Sequence, residues 1–269
     1  MKQFRLAPGK RAHLDDLDPD DTSLVPGGKT EAAEKGAKLQ KRIGELQELL
    51  YAEHKHRVLV VLQGMDTSGK DGTVRHVMSE CSPQGVRVVS FKRPTEKELA
   101  HDYLWRVHAE TPASGELTVF NRSHYEDVLV VRVHDSAKTI KWKTRYRQIN
   151  DFEQMLAENG TLILKFFLHI SKGEQRKRLQ ARIDDPTKRW KFEHGDLEER
   201  KLWDDYMHAY EEAISATSTR YAPWTLVPAD AKWFRNYVVA KTIVDALERL
   251  HMKYPDPDLT AEAIEKSEE

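Results

Sequence analysis

The stretch from His56 to Met78 constrains this chain more than any other. Arg57-Val58-Leu59-Val60-Val61-Leu62 is an unbroken apolar run of strand length, rich in β-branched residues. Without alternation, it reads as a strand covered on both faces in the middle of a parallel sheet. Directly after it comes Gly64-Met65-Asp66-Thr67-Ser68-Gly69-Lys70-Asp71-Gly72, which fits the pattern G-x-x-x-x-G-K. Thr73-Val74-Arg75-His76-Val77-Met78 then places apolar residues at helical spacing. Strand, glycine-bearing loop and helix stand in the order that a phosphate cradle requires.

The chemistry of such a loop follows from its backbone. Glycines let the chain turn tightly enough for N–H groups to converge on an anion, and the helix behind adds about half a positive charge at its N-terminus. Gly64, Thr67, Ser68, Gly69, Lys70, Asp71, Gly72 and Arg75 are therefore the candidate phosphate-binding residues. Lys70 is placed to reach over the phosphates. Asp71 stands where a Ser or Thr hydroxyl ordinarily holds Mg²⁺. Its carboxylate and that of Asp66 are the candidate metal ligands, because a hard divalent cation takes oxygen donors.

Further strands are expected at Val86 to Phe91, Glu116 to Phe120, Thr161 to Ile170 and Thr225 to Pro228. In open α/β sheets ligands bind outside the carboxyl ends of the strands. Lys92 and Arg93 follow the second strand, ahead of a helix capped by Thr95 with Glu96 and Glu98 in its first turn. Asn121, Arg122, Glu126 and Asp127 follow the third, where a phosphate-loop enzyme normally ends the strand on an acid. These six are the candidate nucleotide-binding residues, and Arg122 at a strand tip suits a two-pronged grip on phosphoryl oxygens.

After the fourth strand the chain turns basic. Ser171 to Lys191 holds eight cations against three anions. Arg178 and Arg182, four apart on one helix face, repel each other and need an anionic partner. A cationic lid closing over a polyanion would supply charge where phosphoryl transfer develops it. The plainer alternative is a solvated face pairing with Glu198 and Glu199.

The rest sets limits. Residues 1–29 read as an irregular arm, with Asp15, Asp16, Asp18, Asp20 and Asp21 crowded around Pro19. A single domain is expected over 30–254, including the basic lid at about 171–200, followed by an acidic tail over 255–269. Its first helix should run from a Thr30 cap to about His54, and Trp142, Tyr146, Ile149, Phe152 and Met155 should face the core from a helix over Thr139 to Asn159. Trp190, Trp203, Trp224 and Trp233 read as core or lid packing. The lone Cys81 excludes an internal disulfide and suits a reducing compartment; with no long apolar stretch and no signal-like start, a cytoplasmic location is expected. The histidines show no zinc-like spacing.

Six ordered blocks together resemble the family-2 polyphosphate kinases. They are the loop at 64–72, Phe91-Lys92-Arg93-Pro94-Thr95, Phe120-Asn121-Arg122-Ser123-His124-Tyr125, Phe167-Leu168-His169-Ile170-Ser171-Lys172-Gly173-Glu174-Gln175, Asp185-Pro186-Thr187-Lys188-Arg189-Trp190-Lys191 and Val227-Pro228-Ala229-Asp230-Ala231-Lys232-Trp233. The resemblance implies an α/β phosphate-loop kinase of thymidylate-kinase-like architecture, with three α/β/α layers, a parallel sheet of five strands and a helical lid. It implies Mg²⁺-dependent transfer of the terminal phosphoryl group of inorganic polyphosphate to adenine or guanine nucleotides by a homo-oligomer, dimeric or tetrameric. In that reading the catalytic set is Asp66, Lys70, Arg122, Arg178 and Arg182. Lys70 holds the transferring phosphate, Asp66 organises Mg²⁺ or the attacking oxygen, and the arginines neutralise charge. Asn121 replaces the Asp of many members, and the run Asn121 to Asp127 resembles the subgroup that phosphorylates both AMP and ADP. Physics alone leaves the donor open: an ATP-dependent nucleoside monophosphate kinase, or a non-catalytic module binding phosphate backbones, would share many of these residues.

Overall fold

The computed structural model of the protein describes residues 1–135, 141–192 and 195–256, and the strand entering the phosphate loop lies at its centre. β1 (Arg57–Gln63), β2 (Val86–Ser90), β3 (Leu117–Asn121), β4 (Thr161–His169) and β5 (Trp224–Pro228) form one parallel sheet in the order β2-β3-β1-β4-β5. From Val58 to Leu62, β1 is at most 1% exposed, as its unalternating apolar sequence requires.

Around the sheet lie α1 (Gly28–Glu53), α2 (Lys70–Val77), α3 (Glu96–Leu99), α4 (Trp105–His108), α5 (Val130–His134), α6 (Trp142–Glu158), α7 (Lys172–Asp184), α8 (Gly195–Lys201), α9 (Trp203–Thr217) and α10 (Lys232–Glu248). α1, α2 and α10 pack on one another, and α5, α6 and α9 group around the 3-10 turn His124–Val128, which gives the expected three layers. The register sets Leu62 beside both Asn121 and Phe166. In register β3 ends one residue before β1 and β4 two residues beyond it, so the outgoing loops of these three parallel strands share one rim.

The structure revises several local expectations. α1 is capped by Gly27, with Thr30 already inside the helix. Thr95 does form a capping box with Glu98, but it opens α3, and α4 is a separate turn. On α6, Met155 is 40% exposed; the inward positions are Tyr146, Ile149, Phe152, Glu153 and Leu156, whose three- and four-residue steps leave 155 off the face. Thr139 and the tail beyond 256 lie outside the described residues.

The acidic arm is not a free leader. Arg5 bridges Thr225 in antiparallel sense, and the Leu6 N–H donates to the Trp224 carbonyl at 2.9 Å, so the arm covers the open edge of β5. Ala12 and Leu14 are 1% exposed, and their N–H groups donate to Ser215 Oγ at 2.9 Å and Glu211 Oε1 at 2.8 Å on α9. Apolar residues scattered among the aspartates anchor the segment while the carboxylates face water.

One buried charge pins the second helical layer. Lys165, in mid β4, donates to Glu153 Oε2 at 2.6 Å, Tyr125 Oη at 2.8 Å and the Thr217 carbonyl at 2.7 Å, all in the core. Tyr125 in turn donates to Glu153 Oε1 at 2.8 Å. With every ammonium hydrogen used, the pair is tolerated, and it fixes the turn that follows β3.

Candidate active site

β1 delivers the chain into Gly64, whose φ of 153° leaves no room for a side chain: a Cβ there would meet the Leu168 carbonyl at 2.7 Å. Beyond it the loop wraps to Gly69, in the left-handed region at φ 100°, which caps α2. Thr67 is also left-handed, at φ 66°. A β-branched residue resists that conformation, so something must hold it.

Three side chains behind the loop do so. Gln175 Nε2 donates to the Asp66 carbonyl at 3.1 Å. Arg178 donates to the Thr67 carbonyl at 2.9 Å and the Ser68 carbonyl at 3.0 Å. Arg235 donates to the Ser68 carbonyl at 3.1 Å. Across a trans peptide the N–H points opposite to the C=O, so the Thr67 and Gly69 N–H groups face forward, into the site. The Ser68 N–H is taken internally by the Met65 carbonyl at 3.0 Å. Buried in the same loop, Thr67 Oγ1 and Ser68 Oγ have no hydrogen-bond partner.

On the forward side, Lys70 folds back across the loop, its Nζ donating to the Gly64 carbonyl at 2.7 Å. Burial, and then Arg122, push its pKa down, while Asp66, Glu126 and Asp71 pull the other way. Arg122, left-handed at φ 64° on the tip of β3, donates to Asp66 Oδ1 at 2.9 Å. Burial raises the pKa of Glu126, against the pull of Arg122 and Lys70. Asp71 accepts from Asn121 Nδ2 at 2.7 Å and pairs with Lys191 at 3.3 Å. Burial would raise its pKa, yet Asn121 and Lys191 hold it below the ordinary value. Asn121 thus ties the strand tip to the residue after the lysine.

Other predicted residues stand apart from this cluster. Arg178 is 8% exposed, and its guanidinium is committed to the Thr67, Ser68, Ala229 and Asp230 carbonyls and to Glu174. It backs the loop where a charge-neutralising contact was expected. Arg182 lies inside the lid, reaching the Lys191 carbonyl at 3.5 Å and Asp196 at 3.8 Å. Asp127 turns away from the loop to Arg145, 3.2 Å off, whose guanidinium lies over the Tyr103 ring. Arg75 is exposed in the last turn of α2, away from the anion-attracting N-terminus. Gly72 lies within α2, with Arg235 the nearest group to its open position. Lys92 and Arg93 are exposed on the loop after β2, where Arg106 holds the Lys92 carbonyl at 2.9 Å.

Sequence reasoning missed Arg235, Gln175 and Asp230, which accepts from Ser171 N at 2.8 Å and Ser171 Oγ at 2.6 Å at the start of α7. Arg235 did leave a signal. It lies three and four residues before Val238 and Val239, a cation on the buried stripe of α10. Burial, with Arg178 nearby, pushes its pKa down to about 9.

Residues 28–255 match the family described as Polyphosphate kinase 2. The chain is 59% identical to AMP/ADP-polyphosphate phosphotransferase of Meiothermus ruber over 98% of this chain and 99% of that one. It is 46% identical to ADP-polyphosphate phosphotransferase of Rhodopseudomonas palustris over 95% and 92%. The crystal structure of polyphosphate kinase 2 from Arthrobacter aurescens superposes with a TM-score of 0.94 at 45% identity, covering 99% of this chain and 95% of that one. The forward-facing amides, the lysine folded over them and the backing arginines are thus set in a chain that belongs to the polyphosphate kinase 2 family.

Proposed function

We propose that this enzyme moves the terminal phosphoryl group of inorganic polyphosphate to AMP and to ADP, reversibly, at the loop from Gly64 to Gly72. The observation carrying this reading is the division of the loop: its carbonyls are pinned behind by Gln175, Arg178 and Arg235, while Lys70 and Arg122 stand in front. A polyanion needs that arrangement of fixed amides and cations. The names of the Meiothermus and Rhodopseudomonas relatives support polyphosphate as donor.

In the transfer, an oxygen of the acceptor's terminal phosphate forms a bond to the last phosphorus of the chain. The bond from that phosphorus to the rest of the chain breaks, leaving polyphosphate one unit shorter. The attacking oxygen is already anionic near neutral pH, so no general base is required. Positioning and charge then dominate. Lys70, the Thr67 and Gly69 amides and the hydroxyls of Thr67 and Ser68 bind the transferring group. Arg122, released from Asp66 to a phosphoryl oxygen, steadies its charge, and the lid over 171–200 shields the site from water.

Mg²⁺ fits the residues present. Among the described residues no cluster of three metal-binding side chains exists. Mg²⁺ seldom uses such a cage, taking one or two carboxylates and completing its shell with water and phosphate oxygens. Asp66 and Asp71 would hold it, and when bound it would neutralise charge on the phosphates. A homo-oligomer in the cytoplasm completes the proposal; the shielded Cys81 thiol, its pKa raised by burial to about 11, is consistent with a packing residue.

The test is a ³¹P spectrum of AMP, and separately of ADP, incubated with Mg²⁺ and polyphosphate in the absence of ATP. ADP and ATP should form as the polyphosphate signal shortens. No nucleotide phosphorylation from polyphosphate, with turnover restored by ATP, would make the chain an ATP-dependent nucleoside monophosphate kinase instead.

A further inference from the structure

The lid carries an aromatic ring that phosphate chemistry leaves unused. Trp190 is 75% exposed, more than any other large apolar side chain among the described residues. The expectation that it packs within the lid is therefore not met. Its indole Nε1 donates to the Thr187 carbonyl at 3.0 Å, which fixes the ring's orientation within the 3-10 turn Arg189–Lys191.

Its position relative to the loop is set by one ammonium. Lys191 Nζ lies 5.1 Å from the Trp190 ring centroid and 3.3 Å from Asp71 Oδ2. Ring and loop carboxylate thus flank a single cation, and the indole stands at the rim of the phosphate site. Trp105, 40% exposed, differs: its ring is stacked on His101 at 4.2 Å with Lys97 5.7 Å from its centroid.

The geometry points to Trp190 as the stacking platform for the base of the acceptor nucleotide, an inference that rests on the reading of this site as a nucleotide phosphotransferase. A phosphate chain has no π-face, so the donor gains nothing from an indole. A base held by its phosphates at the loop does gain, and stacking is indifferent to the hydrogen-bonding edge. The subsite takes purines as a class, adenine and guanine alike, and pyrimidines less well because their rings are smaller. Lys191 beside the ring faces the acceptor's phosphates, joining the two halves of one binding surface.

Kinetics and fluorescence test this separately. Trp190→Ala should raise the KM for AMP, ADP and GMP by roughly tenfold. Its KM for polyphosphate and its melting temperature should stay at wild-type values, and Trp190→Phe should restore most of the nucleotide affinity. Titrating the wild type with AMP, without donor, should quench indole emission by an amount absent from Trp190→Phe, whereas tripolyphosphate should leave that difference signal flat. Unchanged nucleotide KM in Trp190→Ala, or equal quenching by tripolyphosphate, would overturn the assignment. A wild type that quenches with AMP yet makes no ADP from polyphosphate would overturn the proposed reaction and keep the stacking site.

Discussion

The two faces of the phosphate loop use cations for opposite purposes. Behind it, Arg178 and Arg235 are 8% and 3% exposed and donate to main-chain carbonyls. In front, the Arg122 side chain is 44% exposed and Lys191 30%, each held by one carboxylate. The rear pair is structural, a mould for the backbone; the front pair can exchange an aspartate for a phosphate. A count of basic residues near the loop cannot separate these roles, because both faces are built from the same residue types. What separates them is the number of donors already satisfied by the protein.

Substitutions can break or sharpen that division. The largest effect is expected at Lys70: replacement by Ala should lower turnover about a thousandfold, in the range of lost transition-state charge contacts. Its melting temperature should hold or rise, because burial already disfavours the charged ammonium. Arg178→Met should instead cost about 3 kcal/mol in denaturant unfolding, because it strands carbonyls and Glu174 together. A fully stable Arg178→Met enzyme without turnover would move Arg178 to the front group.

Smaller effects follow from the exposed members. Lys191→Ala should change stability by under about 1 kcal/mol, as for other accessible ion pairs. It should raise the KM for AMP and ADP severalfold and flatten the dependence of that KM on added salt, measured across ionic strength. The smallest effect tests whether the arm is also rigid backing. His169 is 7% exposed against the Leu17 carbonyl at 3.2 Å, and burial pushes its pKa below the ordinary 6.5, against the pull of Leu17, Asp230 and Asp15. The unfolded chain then binds this proton more readily than the folded one, so stability should fall as pH drops through 6.5. His169→Gln should flatten that part of the profile, and proteolysis of the arm should report it.

The strands and the loop were legible because each rests on local signals: an unalternating apolar run, a glycine pattern, a capping threonine. Strand edges moved by one residue at most, and every strand was found. The anchoring of the arm was not legible, because its buried residues, Phe4, Ala12, Leu14 and Val25, are too sparse to form a period and are outnumbered by aspartates. Arg178 and Asp127 were misjudged for another reason. A side chain's partner across the fold is not encoded in its neighbours, so Arg178 found carbonyls 111 and 51 residues away, and Asp127 found Arg145. Asp71 and Asn121, by contrast, were singled out separately from strand and loop position, and the register of β1 with β3 brought them to 2.7 Å.

Gly69 links two distant codons. A methyl group at this position would fall 1.9 Å from an Arg235 nitrogen, at a φ of 100° that L side chains rarely adopt. No change at 69 is rescued by trimming 235, since the left-handed turn remains, while loss of the guanidinium also takes a donor from the Ser68 carbonyl. Variant libraries that diversify the loop should therefore hold 69 and 235 constant as a unit and seek new donor or acceptor preferences along the forward rim.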